Sequence, residues 1–207
     1  MEHTANRVIL RGSLAGLPAF SHENHARRFY RFFLEVERLS GTADVLPVIA
    51  AEDVLNTMDL SGGGRIEVRG QLRSFNSRAP SGRKLILSVY AAELETSDEG
   101  PENLVELTGA LCKPPVYRRT PLGREICDVM LAVSRPYHRT DYLPCILWGR
   151  TAQAAAQLPP GAQLALTGRL QSREYVKLLP GGSETRVAYE VSATRSAFSD
   201  DLLEIFD

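Results

Sequence analysis

The sequence predicts an all-β chain made of two copies of one small domain, and two observations support that class. The segment NRVILRGSLAGLPAF from Asn6 aligns without a gap on NLVELTGALCKPPVY from Asn103, and such self-similarity indicates a repeated unit. Within each copy, apolar residues alternate with polar residues in short runs, which is typical of half-buried strands. A copy of roughly 100 residues is long enough to bury its own core.

The alignment continues through both copies. RFFLEV at Arg31 falls on DVMLAV at Asp128, and RIEVRGQLRS at Arg65 falls on QLALTGRLQS at Gln163. Between the copies, SDEGPE is polar and contains Gly and Pro, which is typical of a linker. We therefore expect a first domain over 1–96, a linker over 97–102, a second domain over 103–198 and an acidic C-terminal tip over 199–207.

The order of predicted elements indicates a particular barrel. In the second copy, alternating runs over 105–111, 127–133, 164–170 and 187–193 predict four strands. TAQAAAQL from Thr151 predicts a helix that follows the third strand, which contains the LPCILW segment from Leu143. EDVLNTMDL from Glu52 is the matching helix of the first copy. Three strands, a helix and two strands is the order of the OB-fold, a five-stranded Greek-key barrel that binds oligonucleotides or oligosaccharides.

Composition narrows the class of protein. With 43% hydrophobic and 24% charged residues the chain has the composition of a soluble globular protein. We expect a cytoplasmic protein, since no secretory signal and no apolar run long enough to span a bilayer is evident. Cys112, Cys127 and Cys145 form no CxxC pair, so we expect three buried thiols. No catalytic motif, metal-ligand spacing or cofactor motif is recognisable, which predicts a binding protein rather than an enzyme.

The net charge of −1 hides an asymmetry between the copies. Residues 1–102 hold 12 basic and 14 acidic residues, whereas residues 103–198 hold 12 basic and 7 acidic residues. The last nine residues hold four acids and no base. The second copy therefore has the positive charge expected of a phosphate-binding domain.

The second copy resembles the bacterial single-stranded DNA-binding protein family over residues 103–198. LPCILWGR at Leu143 and GRLQSREY at Gly168 carry the resemblance most strongly. The first copy shares only the pattern of hydrophobic positions with the family. The resemblance implies a protein that coats single-stranded DNA in replication, recombination or repair, associated with the nucleoid. Two OB-folds in one chain resemble the dimeric members of the family, which implies a homodimer.

The resemblance also implies the binding residues. Family members stack bases on aromatic rings at four positions, which are Tyr137, Tyr142, Trp148 and Tyr175 in this chain. For Tyr142, packing against a neighbouring strand is an equal alternative. The cations expected beside these rings are Arg118, Arg119 and Arg124 on the first long loop, with Arg135, Arg139, Arg150, Arg169, Arg173 and Lys177 on later strands and turns.

The first copy departs from this pattern. The same four positions hold Ser40, Val45, Ala51 and, approximately, Ser77, none of which can stack on a base. Phe75 lies near the fourth position, and the basic residues that remain are Arg27, Arg28, Arg31, Arg73, Arg78, Arg83 and Lys84. We therefore expect the first domain to serve assembly and to steer phosphates, or to bind a protein, while the second domain holds the bases.

The C-terminus and the overall role leave alternatives open. Family members end in an acidic tip that docks on replication and repair proteins, and Asp200, Asp201, Ile205 and Phe206 resemble that tip. A short terminal helix packed on a barrel is an equal alternative for this segment. Two other roles fit an OB-fold chain: a primosomal-type accessory factor and a protein-interaction scaffold without nucleic-acid affinity.

Overall fold

The computed structural model describes residues 6–59, 64–79, 82–179 and 182–198. The acidic tip and its predicted partner-binding residues Asp200, Asp201, Ile205 and Phe206 lie outside the described residues. The side chains of Arg78, Arg83 and Lys84 also lie outside the described part.

The strands and one short helix of the first repeat are β1 Asn6–Leu14, β2 Ala19–Asn24, β3 Arg27–Glu37, β4 Ala43–Ala51, α1 Glu52–Leu55, β5 Arg65–Ala79 and β6 Gly82–Ser97. The second repeat contains β7 Glu102–Leu111, β8 Val116–Arg119, β9 Glu125–Arg135, β10 Arg139–Trp148, α2 Gly149–Ala155, β11 Gln163–Leu179 and β12 Gly182–Phe198. Neither helix has the length needed to cross a bilayer.

Each repeat closes into a five-stranded barrel, which confirms the predicted all-β tandem OB-fold class. Strands β1, β3, β4, β6 and β5 form the first barrel, and a short β1–β3 pairing closes it. Strands β7, β9, β10, β12 and β11 form the second, closed by β7 and β9. Two additional strands flank the barrels: β2 pairs with β3, and β8, which was expected to belong to a long loop, pairs with β9.

Alternating burial along the strands builds the two cores. On β7, Val105, Leu107 and Leu111 are buried, as the alternation predicted. Gly109 lies in the same buried row, where a larger residue does not fit. A Cβ at this position would lie 2.6 Å from the carbonyl oxygen of Ala132 on β9. Glycine thus lets the strands approach closely enough to close the barrel.

The expectation of three buried thiols was wrong for one cysteine. Cys127 and Cys145 are buried in the second barrel, but Cys112 is exposed. Cys112 follows the last residue of β7, where the chain leaves the sheet, so it escapes the alternation that buries the other two. Burial raises the pKa of the Cys145 thiol well above its ordinary value, so this group is inert.

The two barrels are joined along β1 and β7, which pair antiparallel with Val8 opposite Val105. Two buried carboxylates reinforce this junction. Asp141 on β10 accepts a hydrogen bond from the Ser74 backbone N–H of the first barrel at 2.8 Å. At the equivalent position, Asp44 on β4 accepts one from the Ser172 N–H of the second barrel, also at 2.8 Å. The barrels are therefore joined by a strand pairing and by a buried carboxylate contact in each direction.

Candidate nucleic-acid interface

Strand β10 presents two predicted aromatic residues on the outside of the second barrel. The odd-numbered residues from Asp141 to Leu147 are buried, so the even-numbered residues point the other way. Tyr142 and Trp148 are both even-numbered, and 44% and 37% of their surfaces are exposed. Tyr142 therefore lies on the solvent side rather than in the core.

Strand register brings residues of β11 to the same side. Ile146 on β10 pairs with Ser192 on β12, and Ser192 pairs with Arg169 on β11. Since paired residues point to the same side of a sheet, every second residue of β11 from Arg169 onward shares this side. On the other flank, Arg118 on β8 lies opposite Ile126, which pairs with Trp148. We call this surface the outer face; it consists of Arg118, Tyr142, Trp148, Arg169, Arg173, Tyr175 and Lys177.

The rings and cations of the outer face are held in place. Trp148 is the residue immediately before α2, and its Nε1 donates a hydrogen bond to the Ser192 Oγ at 2.9 Å. The guanidinium carbon of Arg173 lies 5.9 Å from the centre of the Tyr175 ring, within the range of a cation–π contact. The Nε of Arg169 is buried and has no hydrogen-bond partner among the described residues. The outer face is therefore a partly cationic aromatic surface on which Trp148 is fixed by a hydrogen bond.

Two acidic residues that the sequence analysis missed also lie on this side. Arg118 Nε donates to Asp128 Oδ2 at 2.6 Å, and Arg173 Nε lies 3.7 Å from Glu190 Oε1. Burial raises the pKa of Glu190; Arg173 opposes that shift, and Asp128 adds to it. These acids offset part of the positive charge of the outer face.

Arg186 is a further cation that the sequence analysis missed. It lies directly opposite Tyr175 in the β11–β12 hairpin, and its Nη2 lies 2.7 Å from Glu184 Oε2. The LLPGGSET segment signals the turn of this hairpin. A hairpin centred on this segment places Tyr175 opposite Arg186, so the sequence contained a signal for this pair.

Three further predicted site residues lie outside the paired strand positions that define the outer face. Tyr137 is 91% exposed at the turn between β9 and β10, with a left-handed φ of 63°. Arg139 is odd-numbered on β10 and so lies on the opposite side from Tyr142. Arg150 is exposed on α2, directly after the Trp148 strand end.

The three cations predicted on the first long loop of the second repeat occupy different positions in the structure. Arg118 belongs to the outer face, whereas Arg119 is a strand residue whose Nη2 pairs with Glu125 Oε1 at 3.0 Å. Arg124 is exposed, and its backbone N–H donates to Thr120 Oγ1 in the β8–β9 turn. The prediction of a loop for Arg118 and Arg119 was wrong, because both lie on β8.

Arg135 has a structural contact. Its Nη1 lies 3.3 Å from the buried Asp141 carboxylate, beside the Arg73 contact from the first barrel. Its side chain is only 25% exposed, and it faces the junction between the barrels. Arg135 therefore contributes to the junction between the barrels.

The fold and the outer face together define an OB-fold chain with an aromatic and cationic surface on its second barrel. The model of the Single-strand binding protein family matches residues 102–199. Single-stranded DNA-binding protein B of Bacillus subtilis is 36% identical over 80 residues, covering 35% of this chain and 71% of that protein. The chain belongs to the single-strand binding protein family.

Two further comparisons show how much of this chain and of the related proteins is similar. The single-stranded DNA-binding protein of Halalkalibacterium halodurans is 34% identical over 80 residues, which cover 35% of this chain and 48% of that protein. The chain thus spans about half the length of this relative. The wild-type single-stranded DNA binding protein of Thermus aquaticus matches in fold with a TM-score of 0.74 and 23% identity, over 93% of this chain and 92% of that one.

Proposed function

We propose that this protein binds single-stranded DNA on the outer face of its second barrel and protects exposed strands in replication, recombination or repair. The family and the names of the relatives support this role. The observation that carries it is the shared orientation of Trp148, Tyr142 and Tyr175 beside Arg169 and Arg173. Proteins that bind single strands without reading sequence combine stacking rings with cations along a groove.

In this proposal the aromatic rings bind the bases and the cations bind the phosphates. Each base stacked on a ring contributes about 1 to 3 kcal/mol, whatever its identity, because every base has a π-face. The arginines and Lys177 neutralise the phosphates and release counterions, so affinity falls with salt. The hydrogen bond from Trp148 to Ser192 fixes the ring before the strand arrives, which lowers the entropic cost of binding.

We propose further that the protein acts without catalysis, at the nucleoid in the cytoplasm, as a homodimer. The acidic tip at residues 199–207 recruits replication or repair proteins. A primosomal-type accessory factor would occlude a shorter length of strand, and a scaffold would bind no nucleic acid at low salt.

Single substitutions with a matched control test the proposed function. We expect Trp148→Ala and Tyr175→Ala each to weaken oligo-dT binding by about 1 to 3 kcal/mol, or roughly 5- to 150-fold. Tyr117→Ala is the control, because Tyr117 is 40% exposed in the same barrel but pairs with the buried Cys127, so its position has the opposite orientation. Equal losses for all three variants, or none, would refute the assignment.

A further inference from the structure

The outer face of the second barrel opens into a groove between the two barrels. The groove has a volume of about 680 Å³, and Tyr175 and Lys177 of the outer face line one wall. Pro47 on β4 and Pro144 on β10, which are equivalent positions in the two repeats, both line it. The equivalent sides of the two barrels therefore meet at this groove.

The groove has the charge expected of a polyanion site. Its lining includes the basic residues Arg31, Lys177 and Arg186 and one acid, Glu190. Burial raises the pKa of Tyr189 on the second-barrel wall, and the charge of Arg31 on the first-barrel wall acts in the opposite direction. Arg31 thus acts electrostatically across the groove.

The first barrel carries aromatic residues on the groove side, although its four family positions are not aromatic. Phe33 lies opposite Pro47 and itself lines the groove. Phe75 lies opposite Ile86, another lining residue, and is 49% exposed. Strand pairing places both rings on the side equivalent to the outer face of the second barrel.

Cations accompany these rings as they do in the second barrel. The guanidinium carbon of Arg31 lies 5.7 Å from the centre of the Phe33 ring. That of Arg73, two residues before Phe75, lies 6.0 Å from the centre of the Tyr90 ring. Since Arg73 also holds the junction through Asp141, Arg31 is the cation placed to meet a phosphate.

We infer that the first barrel has its own base-binding surface, formed by Phe33, Phe75 and Arg31, and that the groove connects it to the outer face. A single strand bound on the second barrel would pass through the groove and stack again on the first. This inference rests on the proposed function. It replaces the expected division of labour, in which the first domain steers phosphates without holding bases.

The test compares two oligonucleotide lengths on the intact protein. An oligo-dT of about 10 nucleotides fits one OB-fold, whereas about 30 nucleotides can cover two. We expect Phe75→Ala to weaken binding of the long oligonucleotide about fivefold or more and to leave the short one unchanged. Phe33→Ala is expected to act in the same direction.

Phe20→Ala is the matched control. Phe20 is 55% exposed in the same barrel, but it pairs with Tyr30, whose ring packs against the core, so its position lies on the opposite side from Phe33. We expect this variant to bind both lengths as the unchanged protein does. Because Phe75 is half-exposed, its replacement is expected to leave the unfolding midpoint unchanged, which verifies that the variant is folded.

The outcomes separate this inference from the proposed function. If the long oligonucleotide binds the Phe75→Ala and Phe33→Ala variants with unchanged affinity while still quenching Trp148, the first-barrel surface is refuted and the proposed function stands. If the unchanged protein binds neither length, both fail. Photocrosslinking of a bromouracil-substituted long oligonucleotide should label the peptide containing Phe75, and labelling confined to the second barrel would overturn the inference.

Discussion

Replacing Asp141 with asparagine should loosen the junction between the barrels. The Asp141 side chain is fully buried, and it contacts the Ser74 N–H at 2.8 Å, Arg73 Nη1 at 3.1 Å and Arg135 Nη1 at 3.3 Å. Breaking a buried ion pair costs about 3 to 5 kcal/mol when the remaining charge stays buried. Here the two arginine side chains are 21% and 25% exposed and can turn toward water, so we expect about 2 to 3 kcal/mol.

Urea unfolding followed by far-ultraviolet circular dichroism measures this loss. The control is Glu106→Gln, which removes the exposed β1–β7 pair between Glu106 and Arg7 and should cost no more than about 1 kcal/mol. If Asp141→Asn lowers the unfolding midpoint no more than Glu106→Gln does, the reasoning about the junction is refuted.

The equivalent carboxylate adds a pH dependence. Burial alone raises the pKa of Asp44, but hydrogen bonds from Arg38 and Ser172 outweigh it, and the pKa lies below its ordinary value of 3.8. Its contribution to stability is therefore complete at neutral pH and is lost as the pH falls below 3.8 through the lowered pKa. Asp44→Asn should reduce the acid sensitivity of unfolding over that range.

Two further predictions concern the sheet and the binding face. Gly70→Ala should destabilise the first barrel strongly, because its Cβ would overlap the Tyr90 carbonyl oxygen. Gly100→Ala, whose Cβ would have no atom within 4 Å, should be neutral in a thermal melt. Protonation of Glu190, whose pKa burial raises, should strengthen oligo-dT binding as the pH falls from 7 toward the ordinary value of 4.5. Glu190→Gln should strengthen binding at neutral pH and flatten that profile; an unchanged profile would contradict the repulsion argument.

The duplication and the alternating strands could be predicted from the sequence because core positions repeat every second residue. Segments β2 and β8 could not, since every residue in them is exposed and the alternation is absent. Both strands lie at the ends of the sheet order, where no second neighbour covers them. Such edge strands form because a neighbouring strand pairs with them, so their own sequences show no alternation of apolar and polar residues.

The orientation of a candidate site residue could be predicted where it depends only on the position of that residue along its strand. Trp148 and Tyr175 lie on one face of the second barrel, and their joint role in base binding stays a prediction. The contact of Arg135 with Asp141 could not be predicted, because Asp141 is shared with Arg73 of the other repeat and a contact between repeats leaves no local pattern. Phe33 does not occupy any of the four family positions, and its orientation toward the groove follows instead from strand alternation and register.

Fluorescence of Trp148 tests the central claim most directly, because it is the only tryptophan in the chain. Titration with oligo-dT at low salt should quench the emission to saturation as bases stack on the ring, while duplex DNA of the same length should quench it weakly. Emission that stays unchanged, together with no mobility shift of the oligonucleotide, would contradict a base-binding role for the second barrel.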